Sequence, residues 1–475
     1  MKLKYLLKGL SQIEIKGSKE IEITGISSDS RTIAPGNLFI AKKGGVFDGT
    51  QFINRAIDSG ASAVLTDFYD PFLKIVQLIT HQPHLYEAQL ASQYYQNPSE
   101  DLLVIGVTGS KGKTTTTYLI QHLVEGLGKK CGLIGTIETK IGDHAFPSNF
   151  TTHDIVYNQK ILREMLLKKC EAVAFEVSSH GLAQGRVEKI DFDFAVFTNL
   201  YPDHLDYHQT MENYAAAKKK LFLNSKSIIL NGDSPWSEFM KGDQRAFLFG
   251  IENKMDLYAS SIKSDSHGMT FWVEFEGKKQ KIKTSLMGLF NVYNLLGAIS
   301  VGLQLGYNLE KISEVLSDFT SVPGRLQLVD EKQEIKVFVD HAHTGDALEA
   351  ALVALRPIVK NKLLVVFGCG GDRDPQRRQG MARSAEKWAD ISIITNDNPR
   401  SEDPKEICQQ ILSGFQGREN VEVELDRKKA IEHAIRIAEP GDVILIAGKG
   451  HEKVQIFSHQ ALFFDDVVVA KMALN

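Results

Sequence analysis

The sequence predicts an α/β protein of three domains, on three observations. The chain has 475 residues, several times the size of a single hydrophobic core. Short apolar strands alternate with amphipathic helices in two separate series, one beginning near Leu102 and one after Pro323. Fully apolar strands between such helices are typical of parallel sheets covered on both faces. We therefore expect two doubly wound domains, preceded by a smaller one.

The N-terminal part, residues 1–97, has a different pattern. Short β-like runs at residues 21–26, 37–41 and 63–66 are separated by Gly, Asp and Pro turns, and residues 52–59 have a helical pattern. This pattern predicts a small α/β domain.

The first series predicts a central domain over residues 98–322, and the second a C-terminal domain over residues 323–475. The clearest strands of the first are LLVIGV, AVAFEV and FAVFTN. The second reads strand KVFVD, helix DALEAALVAL, strands KLLVVFG and ISIIT, helices KEICQQIL and KKAIEHAIRIA, and strand DVILIAG. Doubly wound sheets bind ligands at the carboxyl ends of their strands, so we expect the functional residues there.

The composition argues against several classes of function. Lys and Arg number 55 against 59 Asp and Glu, a formal net charge of −4, which does not favour nucleic acid or anionic membranes as partners. No apolar run approaches the roughly 20 residues of a membrane helix, and the N-terminus does not read as a signal peptide. The four cysteines form no CxxC pair. We expect a cytoplasmic protein with buried thiols and no membrane insertion.

The strongest local signal is a glycine-rich loop between a strand and a helix. Its lysine and threonine, Lys113 and Thr114, suit the β/γ-phosphates and Mg²⁺, while glycines let backbone N–H groups face an anion. The loop departs from the usual phosphate-loop spacing, because Val107 stands where a glycine is expected and Gly106 lies one residue upstream. Its candidate nucleotide-binding residues are Gly109, Ser110, Lys111, Gly112, Lys113, Thr114 and Thr115.

Acidic and imidazole groups follow the next two strands. Glu176 ends one strand, and Asp203 and His204 follow the other. At strand ends beside a phosphate loop, these groups are placed to hold Mg²⁺ against a nucleotide. Lys218 lies in the helical stretch YAAAKKKLF and could point back to this site, but three consecutive lysines are more typical of a solvated helix face.

Ten segments, in this order, resemble the motifs of the Mur ligase family: TGSKGKTT, EVSSHGLAQGR, TNLYPDHLDYH, YAAAKKKLF, GLFNVYN, SVPGR, VDHAHTGDAL, GCGGDRD, DNPRSEDP and AGKGHE. The N-terminal segment SSDSRTIAPGNLFIAKKGGVFDG also fits, so the resemblance covers residues 27–452. It is strongest to the branch that adds the third residue of the peptidoglycan stem peptide.

The resemblance implies a UDP-sugar-binding N-terminal domain, a central ATPase domain of P-loop type and a Rossmann-like C-terminal domain that admits an amino acid. It implies an ATP-dependent ligase that joins meso-diaminopimelate to the D-Glu γ-carboxylate of UDP-MurNAc-L-Ala-D-Glu through an acyl phosphate. We expect ATP as co-substrate, two Mg²⁺ ions, small-molecule partners only, and a monomer.

The resemblance also assigns residues around the nucleotide. Asn294, Arg325 and Asp340 would close over ATP. Lys113 would act on the phosphates, and the metal contacts would come from Thr114, Glu176 and His204. The family's counterpart of Lys218 is carbamylated and becomes a ligand of a second Mg²⁺, which opposes the solvated interpretation.

Two further ligand sets follow from the resemblance. The UDP-muramoyl dipeptide would contact Ser28, Ser30, Gly45, Val46, Phe47, Thr151, Thr152, Ser178, Gln184 and Arg186. The diaminopimelate would contact Arg373, Asp397, Asn398, Pro399, Arg400, Gly448 and Glu452. The DNPR sequence resembles the diaminopimelate-adding branch, in which the arginine clamps the distal carboxylate that lysine lacks.

The sequence departs from the family pattern at a few positions. His341 stands in place of a common tyrosine, His153 and Gly345 in place of prolines, and Ser110 with Lys111 in place of Thr-Asn. None of them replaces a residue with a proposed chemical role.

Two other hypotheses for the function compete with this one. A sister ligase, either the lysine-adding enzyme or folylpolyglutamate synthetase, would use the same chemistry, but DNPR opposes the first, and Thr151, Thr152 and EVSSHGLAQGR oppose the second. A non-catalytic P-loop regulator would need neither a second metal nor an amino-acid domain.

Overall fold

A computed structural model describes residues 1–43, 48–332, 335–417 and 419–475. The chain divides into two compact units, Met1–Leu248 and Phe249–Asn475. The predicted domain boundaries after residues 97 and 322 stay predictions. The predicted sugar-nucleotide contacts Gly45, Val46 and Phe47 lie outside the described residues.

The N-terminal part of the first unit is built around a small mixed sheet. Its order is β1-β5-β4-β3-β2, in which β2 to β5 are parallel and β1 is antiparallel to β5. The elements are α1 (Leu3–Leu6), β1 (Glu14–Lys16), β2 (Gly25–Ser27), β3 (Asn37–Ile40), α2 (Ile53–Asp58), β4 (Ala63–Thr66), β5 (Val76–Ile79) and α3 (Pro83–Tyr94).

The predicted elements of this part are present, but one strand is shorter than predicted. The runs at residues 37–41 and 63–66 are strands, and the predicted helix is a 3₁₀ turn, Gly49–Phe52, followed by α2. Only the end of the run at residues 21–26 is strand. Ile23 is fully buried there, but its amide bonds the Met1 carbonyl oxygen and the amide of Thr24 bonds that of Gly36, outside any regular ladder.

A second sheet of the first unit carries the phosphate loop. Its order is β12-β11-β6-β10-β7-β8-β9, with β8 and β9 added antiparallel to a parallel core. The strands are β6 (Leu103–Thr108), β7 (Cys131–Ile134), β8 (Glu138–Ile141), β9 (His144–Pro147), β10 (Ala172–Glu176), β11 (Phe192–Phe197) and β12 (Ser225–Asn231). The helices are α4 (Lys113–Gly126), α5 (Ile155–Leu167), α6 (Ser179–Ala183), α7 (Leu205–His208), α8 (Met211–Leu223) and α9 (Ser237–Lys241).

The three apolar strands predicted for this sheet are confirmed as β6, β10 and β11. All five residues of β10 are buried, as expected for a central parallel strand. Helix α4 begins directly after Gly112, and Leu119, Leu123 and Val124 form its buried side. The carboxyl ends of β6, β10 and β11 therefore meet at one edge of the sheet, beside the start of α4.

The second unit begins with an antiparallel segment and two helices. Strand β13 (Phe247–Gly250) crosses the division between the units. It is followed by β14 (Leu257–Asp265), β15 (Gly268–Phe275), β16 (Lys278–Thr284), α10 (Leu289–Gln304) and α11 (Leu309–Ser317).

A six-stranded sheet then follows, in the order β17-β18-β22-β19-β20-β21, parallel except for β17. Its strands are β17 (Gln327–Lys332), β18 (Ile335–Asp340), β19 (Leu363–Phe367), β20 (Ile391–Ile394), β21 (Val421–Val423) and β22 (Val443–Ala447), and β23 (Val454–Ile456) and β24 (Ala461–Phe463) form a hairpin. The helices are α12 (Gly345–Leu355), α13 (Gln376–Trp388), α14 (Pro404–Leu412), α15 (Arg427–Ile437) and α16 (Asp466–Leu474).

Every element predicted for the second series is present. Helix α13 was not predicted, because it is rich in polar residues and its buried side includes Arg378 and Ser384 as well as Met381 and two alanines. Strands β14 to β16 were also missed. They pair antiparallel with one another, and the last of them, KKQKIKT, buries only Ile282 and Thr284.

All four cysteines are buried free thiols, as expected. Burial raises the pKa of each one, to about 12 for Cys369 and about 11 for Cys408. In the part of the chain that the structure describes, no helix is both long and apolar enough to cross a membrane.

A fully buried ion pair lies at the carboxyl ends of strands β20 and β22 in the C-terminal sheet. Arg427 at the start of α15 donates from Nε and Nη2 to Asp466 at the start of α16, at 2.8 and 2.7 Å, and neither side chain is exposed. The same guanidinium donates to the carbonyl oxygens of Asn396 and Ala447, which lie after β20 and at the end of β22. The pair therefore holds two helix starts against the strand ends that carry the candidate amino-acid residues.

Replacing Asp466 by asparagine should lower the free energy of unfolding by about 3 to 5 kcal/mol, because a buried guanidinium loses its counter-charge. Urea unfolding followed by tryptophan fluorescence measures the change. Lys428 and Glu432 form an exposed pair with 3.7 Å between charged atoms, so Glu432→Gln is the control and should cost less than about 1 kcal/mol. Equal effects of the two substitutions would contradict a structural role for the buried pair.

Candidate active site

The phosphate loop is shaped by a close contact at Gly109. This residue has a φ of 154°, and a Cβ atom there would lie 1.9 Å from Thr198 Oγ1. Only glycine therefore allows the loop to lie against the segment that follows β11. The amide of Ser110 donates to the carbonyl oxygen of Asn199 at 2.9 Å, which fixes the two segments together.

Further hydrogen bonds hold the loop in one shape. The Lys111 amide donates to Asn199 Oδ1 at 2.9 Å, and its carbonyl oxygen accepts from Thr198 Oγ1 at 2.6 Å. Ser110 Oγ lies 3.1 Å from both the Tyr201 carbonyl oxygen and the Tyr214 hydroxyl. Asn199 and Tyr214 were not among the predicted site residues, because their partners lie far away in sequence.

Two lysines converge on the loop. Lys113 Nζ donates to the carbonyl oxygens of Gly109 and Ser110 at 2.9 and 3.1 Å, and Lys218 Nζ donates to that of Gly109 at 2.8 Å. Lys218 is only 1% exposed, so the interpretation as a solvated helix face is wrong for this residue. Burial, with a further contribution from Lys113, holds the pKa of Lys218 well below its usual value.

Glu176 lies fully buried at the end of β10. Its Oε2 accepts from the hydroxyls of Thr136 and Thr114 at 2.9 and 3.2 Å, and its Oε1 accepts from the Thr136 amide at 3.1 Å. Thr136 was missed by the sequence analysis, although its position just after β7, the neighbour of β10, offered a signal. The carboxylate is thus held beside the loop threonine, as the sequence predicted.

His204 lies before α7 in a left-handed conformation, with a φ of 55°. Its ring centroid is 4.9 Å from that of His180, and its Nε2 is 3.8 Å from Asp203 Oδ2. Burial lowers the pKa of His204 although Asp203 opposes the shift, so the imidazole is neutral at pH 7 and can act as a ligand.

The predicted dipeptide contacts are also gathered in the first unit. Thr152 Oγ1 accepts from the Ser178 amide at 3.0 Å, and Thr151 Oγ1 lies 3.0 Å from Thr136 Oγ1. Arg186 donates to the Thr152 carbonyl oxygen at 2.7 Å and, through two nitrogens, to Gln184 Oε1. These residues therefore surround the end of β10.

Ser28 and Ser30 follow β2, in the N-terminal sheet. Ser30 is buried at the start of a short 3₁₀ turn, while Ser28 is half-buried. Among the described residues, no hydrogen bond joins either serine to Thr152, Ser178 or Arg186.

In the second unit, Asp340 lies at the end of β18 and accepts from the Leu326 amide at 2.7 Å. Burial raises the pKa of Asp340 and the nearby Arg325 opposes that shift, so two of the predicted nucleotide residues lie side by side. Asn294 is buried in α10 and donates to Asn291 Oδ1 at 2.8 Å.

The predicted amino-acid residues come from the segments after β20 and β22. Asn398 Nδ2 donates to Glu452 Oε2 at 2.8 Å. A Cβ atom on Gly448 would lie 2.4 Å from Asp397 Oδ2, so only glycine allows these segments to approach. Burial raises the pKa of Asp397 although Arg427 opposes the shift. The adjacent Lys449 was not predicted, although it lies within the AGKGHE motif.

Arg400 borders the same cluster. Its φ is 53°, its amide donates to the Ile456 carbonyl oxygen at 3.0 Å, and its guanidinium donates to that of Gly371 at 2.6 Å. Arg373 is exposed, and a Cβ atom on Gly370 would lie 2.9 Å from Arg400 Nη1 and 3.8 Å from Arg373 Cγ. Pro399 completes the turn, with its carbonyl oxygen accepting from the Glu402 amide at 3.1 Å.

Three family models match consecutive parts of the chain: the catalytic domain of the Mur ligase family over residues 22–93, the Mur ligase middle domain over 107–302, and the glutamate ligase domain of Mur ligases over 324–450. A protein named UDP-N-acetylmuramoyl-L-alanyl-D-glutamate--2,6-diaminopimelate ligase, from Geobacillus thermodenitrificans strain NG80-2, is 42% identical, covering 100% of this chain and 99% of that protein.

The chain belongs to the Mur ligase family.

A solved structure of another UDP-N-acetylmuramoyl-L-alanyl-D-glutamate--2,6-diaminopimelate ligase is similar to this Mur ligase at a TM-score of 0.72 and 31% identity, covering 97% of this chain and 96% of that one. MurF from Thermotoga maritima, solved with ADP, matches at a TM-score of 0.67 and 19% identity over 95% and 96% of the two chains, which shows a shared fold. The predicted α/β class with three domains, the last of them Rossmann-like, is confirmed.

Replacing Gly109 by alanine should weaken nucleotide binding at least about tenfold, because the new Cβ would push the loop away from Thr198. Titration with a fluorescent ATP analogue measures the dissociation constant. Gly128 is the matched control: its φ of 94° is also positive, but a Cβ there meets nothing within 4 Å. If Gly109→Ala binds as tightly as Gly128→Ala, the close contact does not shape the loop.

Proposed function

We propose that this Mur ligase adds meso-diaminopimelate to the γ-carboxylate of D-glutamate in UDP-MurNAc-L-Ala-D-Glu, with conversion of ATP to ADP and phosphate, in peptidoglycan synthesis. The observation that carries the proposal is the 42% identity, over the full length, to a relative named for this reaction. The cluster of Asn398, Glu452 and Arg400 supports it, because it combines groups that suit the ammonium and carboxylate groups of a diamino acid.

The reaction needs ATP because a carboxylate is too poor an electrophile to form an amide directly. A γ-carboxylate oxygen attacks the terminal phosphorus of ATP, the bond to ADP breaks, and an acyl phosphate forms. The amine then attacks the acyl carbon, loses a proton and displaces inorganic phosphate through a tetrahedral intermediate. The protein mainly aligns these groups and offsets their charge.

The phosphates of ATP would be bound by the loop residues Gly109, Ser110, Lys111, Gly112, Lys113, Thr114 and Thr115. The ammonium of Lys113 already lies against the loop, so it can turn to the β/γ-phosphates over a short distance. Asn294, Arg325 and Asp340 would complete the nucleotide site.

The residues present fit Mg²⁺. Glu176 and Thr114 offer hard oxygen ligands, and His204 offers a neutral imidazole. The described ranges contain no group of three or more His, Cys, Asp or Glu side chains that could hold a metal ion, so the proposed ion would need phosphate oxygens and waters as further ligands. Bound Mg²⁺ would offset the charge of the transferring phosphoryl group. We propose two such ions.

Lys218 fits the role of a carbamate that holds the second ion. Its amine is buried, and its lowered pKa favours the uncharged form that can attack carbon dioxide. The nitrogen would form a bond to carbon and release a proton, and the remaining N–H could still donate to the Gly109 carbonyl oxygen.

The two other substrates would use the remaining candidate residues. The muramoyl dipeptide would contact Thr151, Thr152, Ser178, Gln184 and Arg186, and its UDP part Ser28 and Ser30. In the amino-acid site, Arg400 and Arg373 would bind the distal carboxylate and Glu452 an ammonium group, with Asp397, Asn398, Pro399 and Gly448 shaping the site. We also propose that the enzyme is a cytoplasmic monomer.

Phosphate release from ATP, in the presence of UDP-MurNAc-L-Ala-D-Glu, should depend on meso-diaminopimelate and respond far less to L-lysine. A coupled phosphate assay measures the rate with each amino acid and with none. Equal stimulation by lysine would point to the lysine-adding sister reaction, and release that needs no sugar nucleotide would remove the proposal.

Replacing Arg400 by alanine should raise the KM for meso-diaminopimelate by an amount equivalent to roughly 2–5 kcal/mol, because a buried carboxylate would lose its partner. The KM for ATP should stay unchanged. Arg383, an exposed arginine of α13, provides the control Arg383→Ala, which should change neither constant. An unaltered KM for the amino acid in Arg400→Ala would contradict the clamp.

A further inference from the structure

Lys449 is a fully buried lysine between β22 and β23. Its side chain has no exposed surface, and its Nζ donates to the carbonyl oxygen of Val454 at 2.7 Å and to Asn398 Oδ1 at 3.1 Å. The third neighbour is Glu452 Oε2, at 3.5 Å. An ammonium has three N–H donors, so each can be directed at one of these acceptors. Burying a lysine is costly unless it is paired, which indicates a specific use for this one.

The first consequence of this arrangement concerns the amide of Asn398. Its Oδ1 accepts from Lys449 Nζ and, at 2.9 Å, from the Ile456 amide. Both partners can only donate, so the amide cannot be flipped without facing two donors with its own N–H groups. Its Nδ2 is therefore directed at Glu452 Oε2, at 2.8 Å.

The second consequence concerns Glu452. Within the described part of the chain, both hydrogen-bond contacts of its carboxylate are on Oε2, and the side chain is 37% exposed, so Oε1 can receive a ligand. The nearby charges favour a cation there. Arg427 and Asp466 offset each other, which leaves Lys449 facing the carboxylates of Asp397 and Glu452. An ammonium group of the substrate would pair with the Glu452 carboxylate, while Arg400 at the border of the cluster would pair with a carboxylate of the same substrate.

We propose that Lys449 is a positioning residue for the amino-acid substrate: it orients Asn398, and through it Glu452, toward an ammonium group of the incoming diamino acid. The inference rests on the proposed function and extends it to a residue that does not itself need to touch the substrate.

The test compares Lys449→Met with Lys336→Met in the full chain. Lys336 is also buried, and its Nζ donates to the Ser266 carbonyl oxygen at 2.9 Å, so its loss controls for removing a buried lysine. Lys449→Met should raise the KM for meso-diaminopimelate about tenfold, because Asn398 loses its hydrogen bond from the charged Lys449 ammonium. The KM for ATP should change by less than about twofold. Lys336→Met should leave both constants within about twofold.

A second variant covers the case in which Lys449→Met does not fold. Asn398→Asp keeps an acceptor for Lys449 but cannot donate to Glu452, so it should also raise the KM for meso-diaminopimelate selectively. If Lys449 acts through Asn398, the double variant should lose less than the sum of the two single losses in free energy.

The outcomes separate the two proposals. An unchanged KM for meso-diaminopimelate in either single variant overturns the positioning role while the wild-type activity stands. A KM for ATP raised as much as that for the amino acid also overturns it, because the effect is then general. If the wild-type chain shows no phosphate release that depends on the diamino acid, the proposed function fails and this inference fails with it.

Discussion

The carbonyl oxygen of Gly109 accepts hydrogen bonds from two lysines, and much of the site follows from that arrangement. Lys113 and Lys218 both donate to this one backbone oxygen, and Lys218 is buried. Burial holds the pKa of the Lys218 ammonium well below its usual value, and the nearby charge of Lys113 lowers it further. The shape of the loop is fixed by its contacts with Thr198 and Asn199.

The second unit also has buried basic side chains, and they lie around the candidate amino-acid site. Arg427 is buried and is satisfied by the Ala447 carbonyl oxygen and the Asp466 carboxylate, 20 and 39 residues away in sequence. Lys449 is buried and is satisfied by the nearby Val454 carbonyl oxygen and by Asn398, 51 residues away. In a medium of low polarity such groups tolerate little displacement, because a lost partner leaves a charge without compensation. Rigidity of this kind suits a site that must hold an amine in line with an acyl carbon.

The sequence could predict most elements of the two parallel sheets, because their strands are wholly apolar and end in recognisable polar motifs. It could not predict α13, whose polar residues hide its period. Strands β14 to β16 were missed although the buried residues Met269, Phe271 and Val273 of β15 alternate along the strand. The position of Glu176 beside the loop threonine could be predicted from its place at a strand end, while its role stays a prediction. Thr136, Tyr214 and Lys449 were missed because their roles come from contacts between distant segments. Lys218 shows the limit of local reasoning: three lysines in a row indicate a solvated face, yet the first of them is buried.

Two of the departures from the family pattern, His341 and Gly345, lie in close contacts that the structure shows. His341, in place of tyrosine, donates from Nδ1 to the Lys449 carbonyl oxygen at 3.0 Å, and its Cβ lies 2.6 Å from where a Cβ on Gly450 would be. Glycine at 450 therefore makes room for the Cβ of residue 341, which a tyrosine would share. Gly345, in place of proline, lets α12 approach α13, since a Cβ there would lie 2.9 Å from the backbone of Gly380.

The four buried thiols have a practical consequence for studying this ligase. All four thiols are buried, and burial raises their pKa values, so little thiolate forms at neutral pH. Reagents that alkylate cysteine should therefore not modify them in the folded protein. A cysteine placed on an exposed helix face would then carry a fluorophore at one known position, with no need to remove the native ones first.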